Sequence, residues 1–232
     1  MINTYNESRL HEELKRLYCR ESGRTEVPLE GSICDVVTAD GTVVEIQTRQ
    51  LGKLRRKLVK LLEGHPVKLV YPVARNKVIE TRTATGRLKS RRKSPKHDTA
   101  YRVFSELTGL WPLLGHPGFE VELVFADLVE LRVADGTGSW RRRGVRIHDR
   151  QLVQVHGVEC FSTLEDWARL IPASLPEEFT VRELGAAGAG TDAGKMAWTL
   201  RKAGVLEVCG KRVNALVYRR LLGTAGQTTR PG

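Results

Sequence analysis

A leucine-striped helix set between two apolar strands constrains this chain more than any other feature. From Gln50 to Glu63 the residues Leu51, Leu54, Leu58, Leu61 and Leu62 recur at helical spacing, and Gly64 stops the run. Thr42 to Thr48 before it and Val67 to Val73 after it read as strands. A strand, a helix and a further strand form a crossover that joins parallel neighbours, so purely helical and purely antiparallel folds are excluded and an α/β layer is expected.

The elements upstream extend this layer. Ile33 to Thr38 is a second strand, joined to Thr42 to Thr48 through Asp40-Gly41, a pair suited to tight hairpins. Residues 6 to about 20 predict a helix, capped by Asn6 or Ser8, with Leu10, Leu14, Leu17 and Tyr18 as its apolar stripe.

Charge then narrows the partner. Lys plus Arg number 38 against 27 Asp plus Glu, a net charge of +11, and the surplus is clustered. Such clusters attract polyanions by neutralising phosphates and releasing counterions. Arg75 to Lys96 carries nine basic residues, Arg91, Arg92 and Lys93 among them, and reads as a loop or an extended arm that tracks phosphates. Arg141, Arg142 and Arg143 form a second knot beside Trp140, an aromatic that can stack on a base or an unpaired end or serve in a core. Between these knots, Thr99 to Leu107 predicts a helix, and Phe119 to Phe125 and Leu128 to Val133 predict two strands.

Cys19, Cys34, Cys160 and Cys209 show no two-residue spacing, which argues against a zinc knuckle or redox pair and for reduced thiols. The start, Met1 to Glu7, lacks the basic and apolar pattern of a signal peptide, and no stretch reaches the roughly 20 apolar residues of a membrane span. A cytoplasmic protein is expected, with no membrane partner.

Three acids carry the candidate chemistry. Asp35 lies on the first hairpin strand, and Glu45 shares one face of the second with Gln47. Two carboxylates on adjacent strands can share Mg²⁺ or Mn²⁺. Glu7 falls on the stripe of Leu10, Leu14 and Tyr18, with His11 beside it, and an acid on a core-facing stripe needs a partner.

This order of residues resembles the PD-(D/E)XK, restriction-endonuclease-like nuclease superfamily: a helix Glu, a strand Asp, and Glu-x-Lys on the next strand, followed by a helix and a strand. Glu7, Asp35 and Glu45-Ile46-Gln47 match over residues 5 to 75. The resemblance implies a mixed sheet flanked by helices, metal ligation by Asp35 and Glu45, and support from Glu7. Gln47 departs from the usual Lys; it can hydrogen-bond water but carries no charge, although Gln here is an active variant in the superfamily. Lys53 is an alternative source of positive charge.

The last third predicts a small winged-helix domain over residues 162–222, followed by a flexible tail at 223–232. Thr163 caps a helix bearing Leu164, Trp167, Ala168 and Ile171; Thr180 caps a second, Val181 to Ala187; and Thr191 or Asp192 opens a third, ended by Gly204. Gly185 to Gly190 reads as the turn between two helices rather than a phosphate loop. Val205 to Val208 and Val213 to Tyr218 form a hairpin around Gly210-Lys211-Arg212. The third helix would present Lys195, Thr199, Arg201 and Lys202 to nucleic acid, and the wing Lys211 and Arg212.

The expectation is thus an α/β (α+β) chain. Residues 1–158 would form a nuclease-like domain, with a basic insertion at 76–98, and the winged helix would follow. The function expected is Mg²⁺-dependent hydrolysis of DNA, with Glu7, Asp35, Glu45 and Gln47 at the site. RNA remains a rival substrate and a homodimer a compatible assembly. The alternative is a non-catalytic DNA-binding regulator that retains a degenerate nuclease-like domain.

Overall fold

The computed structural model describes residues 8–19 and 23–222. Glu7, the Asn6 cap and the tail at 223–232 lie outside the described residues. The fold is mixed α/β and divides into two compact units: residues 1–49, 60–99 and 121–159, and residues 50–59, 100–120 and 160–232. The second unit therefore takes up two internal segments besides the C-terminal third.

The first unit is built on a seven-stranded mixed sheet. Helix α1 (Arg9–Tyr18) is followed by strands β1 (Arg24–Leu29), β2 (Ser32–Val37) and β3 (Val43–Ile46). A 3-10 turn (Leu51–Leu54) and α2 (Arg55–Leu61) lead to β4 (Val67–Thr83), and β5 (Leu88–Lys93), β6 (Phe119–Ala134) and β7 (Val145–Phe161) complete the set. Strand order is β1-β2-β3-β4-β6-β7, with β5 on the far part of β4. β1, β2 and β3 form an antiparallel meander, whereas β3 and β4 are parallel, with Glu45 beside Leu69. The crossover read from the leucine stripe is thus present.

Helix α1 covers one sheet face. Ser8 caps it, accepting the His11 N–H, and Leu10 and Leu14 pack with Val36, Val44, Ile46, Val70 and Val124 in one core cluster. Polar side chains on the same helix bind it to the strands. Lys15 pairs with Glu26, and Glu122 accepts both the Tyr18 hydroxyl and, at 2.8 Å, the Lys68 ammonium. Leu17, expected in the apolar stripe, is 47% exposed, while Lys15 is buried because its ammonium has a carboxylate partner.

Several expectations about regular structure are corrected. The basic stretch after Arg75, expected as a loop or an extended arm, is a paired ribbon, with Val78 opposite Lys93 and Glu80 opposite Arg91. The two strands expected between Phe119 and Val133 are one. Asp127, which interrupts the apolar run, is held by Asn76 at 2.8 Å and His156 at 2.9 Å. Strand β1 has no counterpart among the elements expected from sequence, because most of its residues are exposed and lack alternation. Strand β7, also unassigned, is exposed over most of its second half.

In the second unit, Trp167 is fully enclosed, stacked on Phe161 at 4.5 Å and edge-on to Phe104 at 5.9 Å. Helix α3 (Phe104–Leu107) supplies Glu106, whose carboxylate accepts the N–H groups of Gln50 and Leu51. The chain continues through α4 (Leu164–Ala168), β8 (Glu178–Thr180), α5 (Val181–Leu184), α6 (Ala193–Lys202), β9 (Leu206–Arg212) and β10 (Ala215–Arg220). The three strands pair antiparallel in the order β8-β10-β9. Thr163 and Thr180 each cap a helix in a reciprocal box, with Asp166 and Glu183 returning the bond. The second helix is shorter than expected, because a wide turn at Gly185–Ala189, with Gly188 at φ 130°, replaces its end. The hairpin turns at Val213-Asn214 rather than at Gly210–Arg212, since β9 runs on to Arg212. Cys19 and Cys209 carry free thiols. Among the described residues no helix is long and apolar enough to cross a membrane.

Candidate functional site

The β2–β3 ladder is regular through Val37 opposite Val43 and Val36 opposite Val44. One residue beyond these pairs come Asp35 on β2 and Glu45 on β3. There the Asp35 side chain enters the ladder: Oδ2 accepts the Ile46 N–H at 2.8 Å. The carboxylate thereby sits in the plane of the sheet where the two strands part.

Helix α1 reaches the same oxygen. His11 Nε2 lies 3.2 Å from Asp35 Oδ2, and both side chains are largely buried, at 14% and 18% exposure. His11 follows Leu10 at the start of the helix, so the packing of Leu10 and Leu14 fixes its approach. Sequence reasoning sets His11 beside Glu7 but gives it no role; its spacing on the stripe is the available signal. Glu7 itself is outside the described residues.

Glu45 is only 2% exposed. Strand alternation turns it and Gln47 away from Val44 and Ile46, which pack with the α1 leucines. Gln47 lies just past β3, half-buried, its N–H bonded to the Val70 carbonyl at 3.0 Å. The structure therefore brings His11 and Asp35 into contact at the end of the β2–β3 ladder, while Glu45 and Gln47 turn to the other side of β3. Lys53 is exposed on the 3-10 turn of the second unit. Asp35 and Glu45 each offer carboxylate oxygens, the donors that Mg²⁺ and Mn²⁺ take.

The basic residues occupy three places. Arg91, Arg92 and Lys93 are exposed along β5. Trp140, 83% exposed, and Arg141, Arg142 and Arg143 form the tip between β6 and β7, where the Arg141 guanidinium lies 5.6 Å from the Trp140 ring centre. At the base of that tip, Arg146 pairs with Asp135; with Thr137 it holds the Asp135 pKa down at about 2.

On α6, Lys195, Arg201 and Lys202 are exposed, but Lys202 rests over the Trp111 ring. Thr199, expected on the exposed face, is fully buried, and its place there is taken by Trp198, 40% exposed and three residues after Lys195. Sequence reasoning passes over Trp198. On β9, Lys211 is exposed, whereas Arg212 folds back to Glu183 and the Glu178 carbonyl, both at 3.2 Å.

Comparison with known proteins identifies the relatives of this chain. The family described as "Domain of unknown function (DUF8091)" matches residues 8–162. The chain belongs to the DUF8091 family. The matched DUF8091 span runs from the α1 cap to just past β7, and so contains His11, Asp35 and Glu45 together with both basic hairpins. A Treponema pallidum (strain Nichols) protein described as "Uncharacterized protein" is 37% identical over 219 residues, covering 94% of this chain and 87% of its own. The likeness therefore continues beyond the DUF8091 span into the C-terminal third. No solved structure matches.

Proposed function

We propose that the chain is a divalent-metal-dependent nuclease acting on DNA, with a restriction-endonuclease-like first unit and a winged-helix second unit. The observation that carries this reading is the Asp35 carboxylate held by His11 and the Ile46 N–H at the end of the β2–β3 ladder, next to the strand that bears the buried Glu45. Its setting supports the resemblance: a helix, then adjacent strands bearing Asp35 and Glu45, then a helix and a strand parallel to the second.

In this reading Asp35 and Glu45 hold Mg²⁺ or Mn²⁺. The bound ion would supply positive charge to a phosphate in flight and acidify a water. His11 holds Asp35 in one rotamer, and the Gln47 amide orients water by hydrogen bonding. Glu7 enters this reading as a third acid through the sequence resemblance alone. The winged-helix assignment is supported by the order α4-β8-α5-α6-β9-β10 and the sheet β8-β10-β9. Its third helix, α6, offers Lys195, Trp198 and Arg201 to DNA.

The test is plasmid cleavage in Mg²⁺ or Mn²⁺ with an EDTA control. Asp35→Ala and Glu45→Ala are expected to abolish cleavage while DNA binding in EDTA persists; cleavage undiminished in both variants sinks the proposal. Gln47 in place of Lys favours a second reading, a DNA-binding regulator without catalysis. That reading predicts binding without metal-dependent cleavage by the wild-type chain.

A further inference from the structure

The directions of the long strands give the two basic hairpins a common orientation. Three cross-strand contacts, Lys68 to Glu122, Asn76 to Asp127 and Lys77 to Glu130, rise together in residue number, so β4 and β6 run parallel. The ribbon tip after Thr83 and the Trp140 tip after Ala134 therefore leave the sheet at the same end. Their heights also agree. Lys77 is level with Glu130, and five residues on from each the strands reach Arg82 and Asp135.

Glu45 lies well below both tips, toward the start of β4. Glu45 is near the C-terminal end of β3, which is parallel to β4 and level with it at Leu69. From Leu69 to Val78, where the ribbon pairing begins, is nine residues, about 30 Å of strand at ~3.3 Å each. One turn of B-form DNA is about 34 Å. A two-stranded ribbon also fits the B-form major groove, whereas the major groove of A-form RNA is too narrow for side chains to read.

We propose that the two hairpins form a two-pronged cradle for duplex DNA. The β4–β5 ribbon contacts phosphates about one turn from the acids, and Trp140 stacks on a base exposed at a terminus or at an unpaired position. Arg91, Arg92 and Lys93 supply charge without reading sequence. Trp140 supplies a bare aromatic face, flanked by the Arg141 guanidinium. The position of the acids relative to the bound duplex rests on the nuclease reading; the cradle itself does not.

The experiment measures binding of the full chain in EDTA, where no cleavage occurs. The probes are a blunt 30-base-pair duplex, the same duplex closed by a hairpin at each end, the same duplex with one unpaired nucleotide, the single strand, and an RNA duplex. The expected result is preference for the open and unpaired duplexes over the closed one by about tenfold. Arg91→Ala/Arg92→Ala/Lys93→Ala should weaken every duplex and lower the salt slope by up to about three. Trp140→Ala should remove only the preference for an exposed base. Trp140→Phe should restore it in part, which separates stacking from misfolding.

An unchanged salt slope in the triple variant overturns the ribbon's role, and a Trp140→Ala protein that keeps the preference overturns the stacking. Tighter binding of the RNA duplex overturns the DNA assignment. Loss of Mg²⁺-dependent cleavage has no bearing on these binding results, so the cradle and the nuclease can fail separately.

Discussion

His11 and Asp35 meet across the face that α1 shares with the sheet, Nε2 to Oδ2 at 3.2 Å, on the oxygen that also receives the Ile46 N–H. Two contacts on one oxygen fix the rotation of the carboxylate before any ligand arrives. If Asp35 holds a metal ion, His11 is a positioning residue, and such partners typically change metal affinity by about 10- to 100-fold. His11→Ala should therefore raise the Mn²⁺ concentration needed for half-saturation by about that factor, read by calorimetric titration of the free protein. His11→Gln should recover part of the loss. An unaltered titration in His11→Ala would limit the contact to folding.

Glu130 makes a different prediction, about stability. It is 2% exposed and is surrounded by Arg132, with bonds of 2.8 and 2.6 Å, Arg150 at 3.4 Å and Lys77 at 3.8 Å. Burial alone would raise its pKa, but the Arg132 bonds and the charges of Lys77, Arg132 and Arg150 outweigh it and hold the carboxyl below its ordinary value. A depressed folded pKa contributes stability that is present above the unfolded value, about 4.3, and is lost as pH falls through the folded one. Glu130→Gln should cost roughly 3 kcal/mol near neutral pH, because it leaves clustered cations without their anion. Urea unfolding at pH 7 and again below pH 4 should show the gap closing in acid; a gap that stays constant would contradict the assignment.

The elements that position the site are legible in the sequence because each has a local signature. The leucine stripe of Leu51–Leu61, the Asp40-Gly41 turn and the apolar run from Val67 announce a helix between parallel strands without any knowledge of the partners. The alternation of Val44, Glu45, Ile46 and Gln47 assigns a face to each side chain. What stays hidden depends on partners distant in sequence. Lys15 is buried because of Glu26, and Asp127 can stand inside a strand because of Asn76 and His156. The ribbon escapes for a related reason: Leu88–Lys93 has no buried face, so its strand character comes from pairing with β4 rather than from periodicity. His11 is visible on the stripe, but its contact with Asp35 requires the three-dimensional register.

The tip that carries Trp140 depends on a glycine. The Gly136 and Gly138 N–H groups both donate to the Gly144 carbonyl at 3.1 Å, and a Cβ at Gly138 would overlap the Val145 carbonyl. Backbone cannot yield there as a flexible side chain would. Gly138→Ala should reshape the turn and reproduce the loss of exposed-base preference expected of Trp140→Ala, while leaving the salt slope set by the ribbon. Retention of the preference, with the duplex probes in EDTA, would show that the turn does not orient Trp140.

The turn between β9 and β10 has one residue poorly suited to its backbone. Val213 is the first of two loop residues between paired Arg212 and Ala215, with φ at 56° and 94% exposure. A left-handed conformation costs a residue with a Cβ about 1–2 kcal/mol, and the branched side chain, being exposed, regains almost nothing by packing. Two-residue hairpin loops with positive φ at this place favour Gly. Replacing Val213 by Gly also frees the unfolded chain, at a cost of about 0.4–1 kcal/mol. Relief of strain outweighs that entropy cost, so Val213→Gly should stabilise the second unit by roughly 0.5–1 kcal/mol. A higher urea midpoint with an unchanged slope is the expected reading; a lower midpoint would mean that the Val213 side chain makes a stabilising contact despite its exposure.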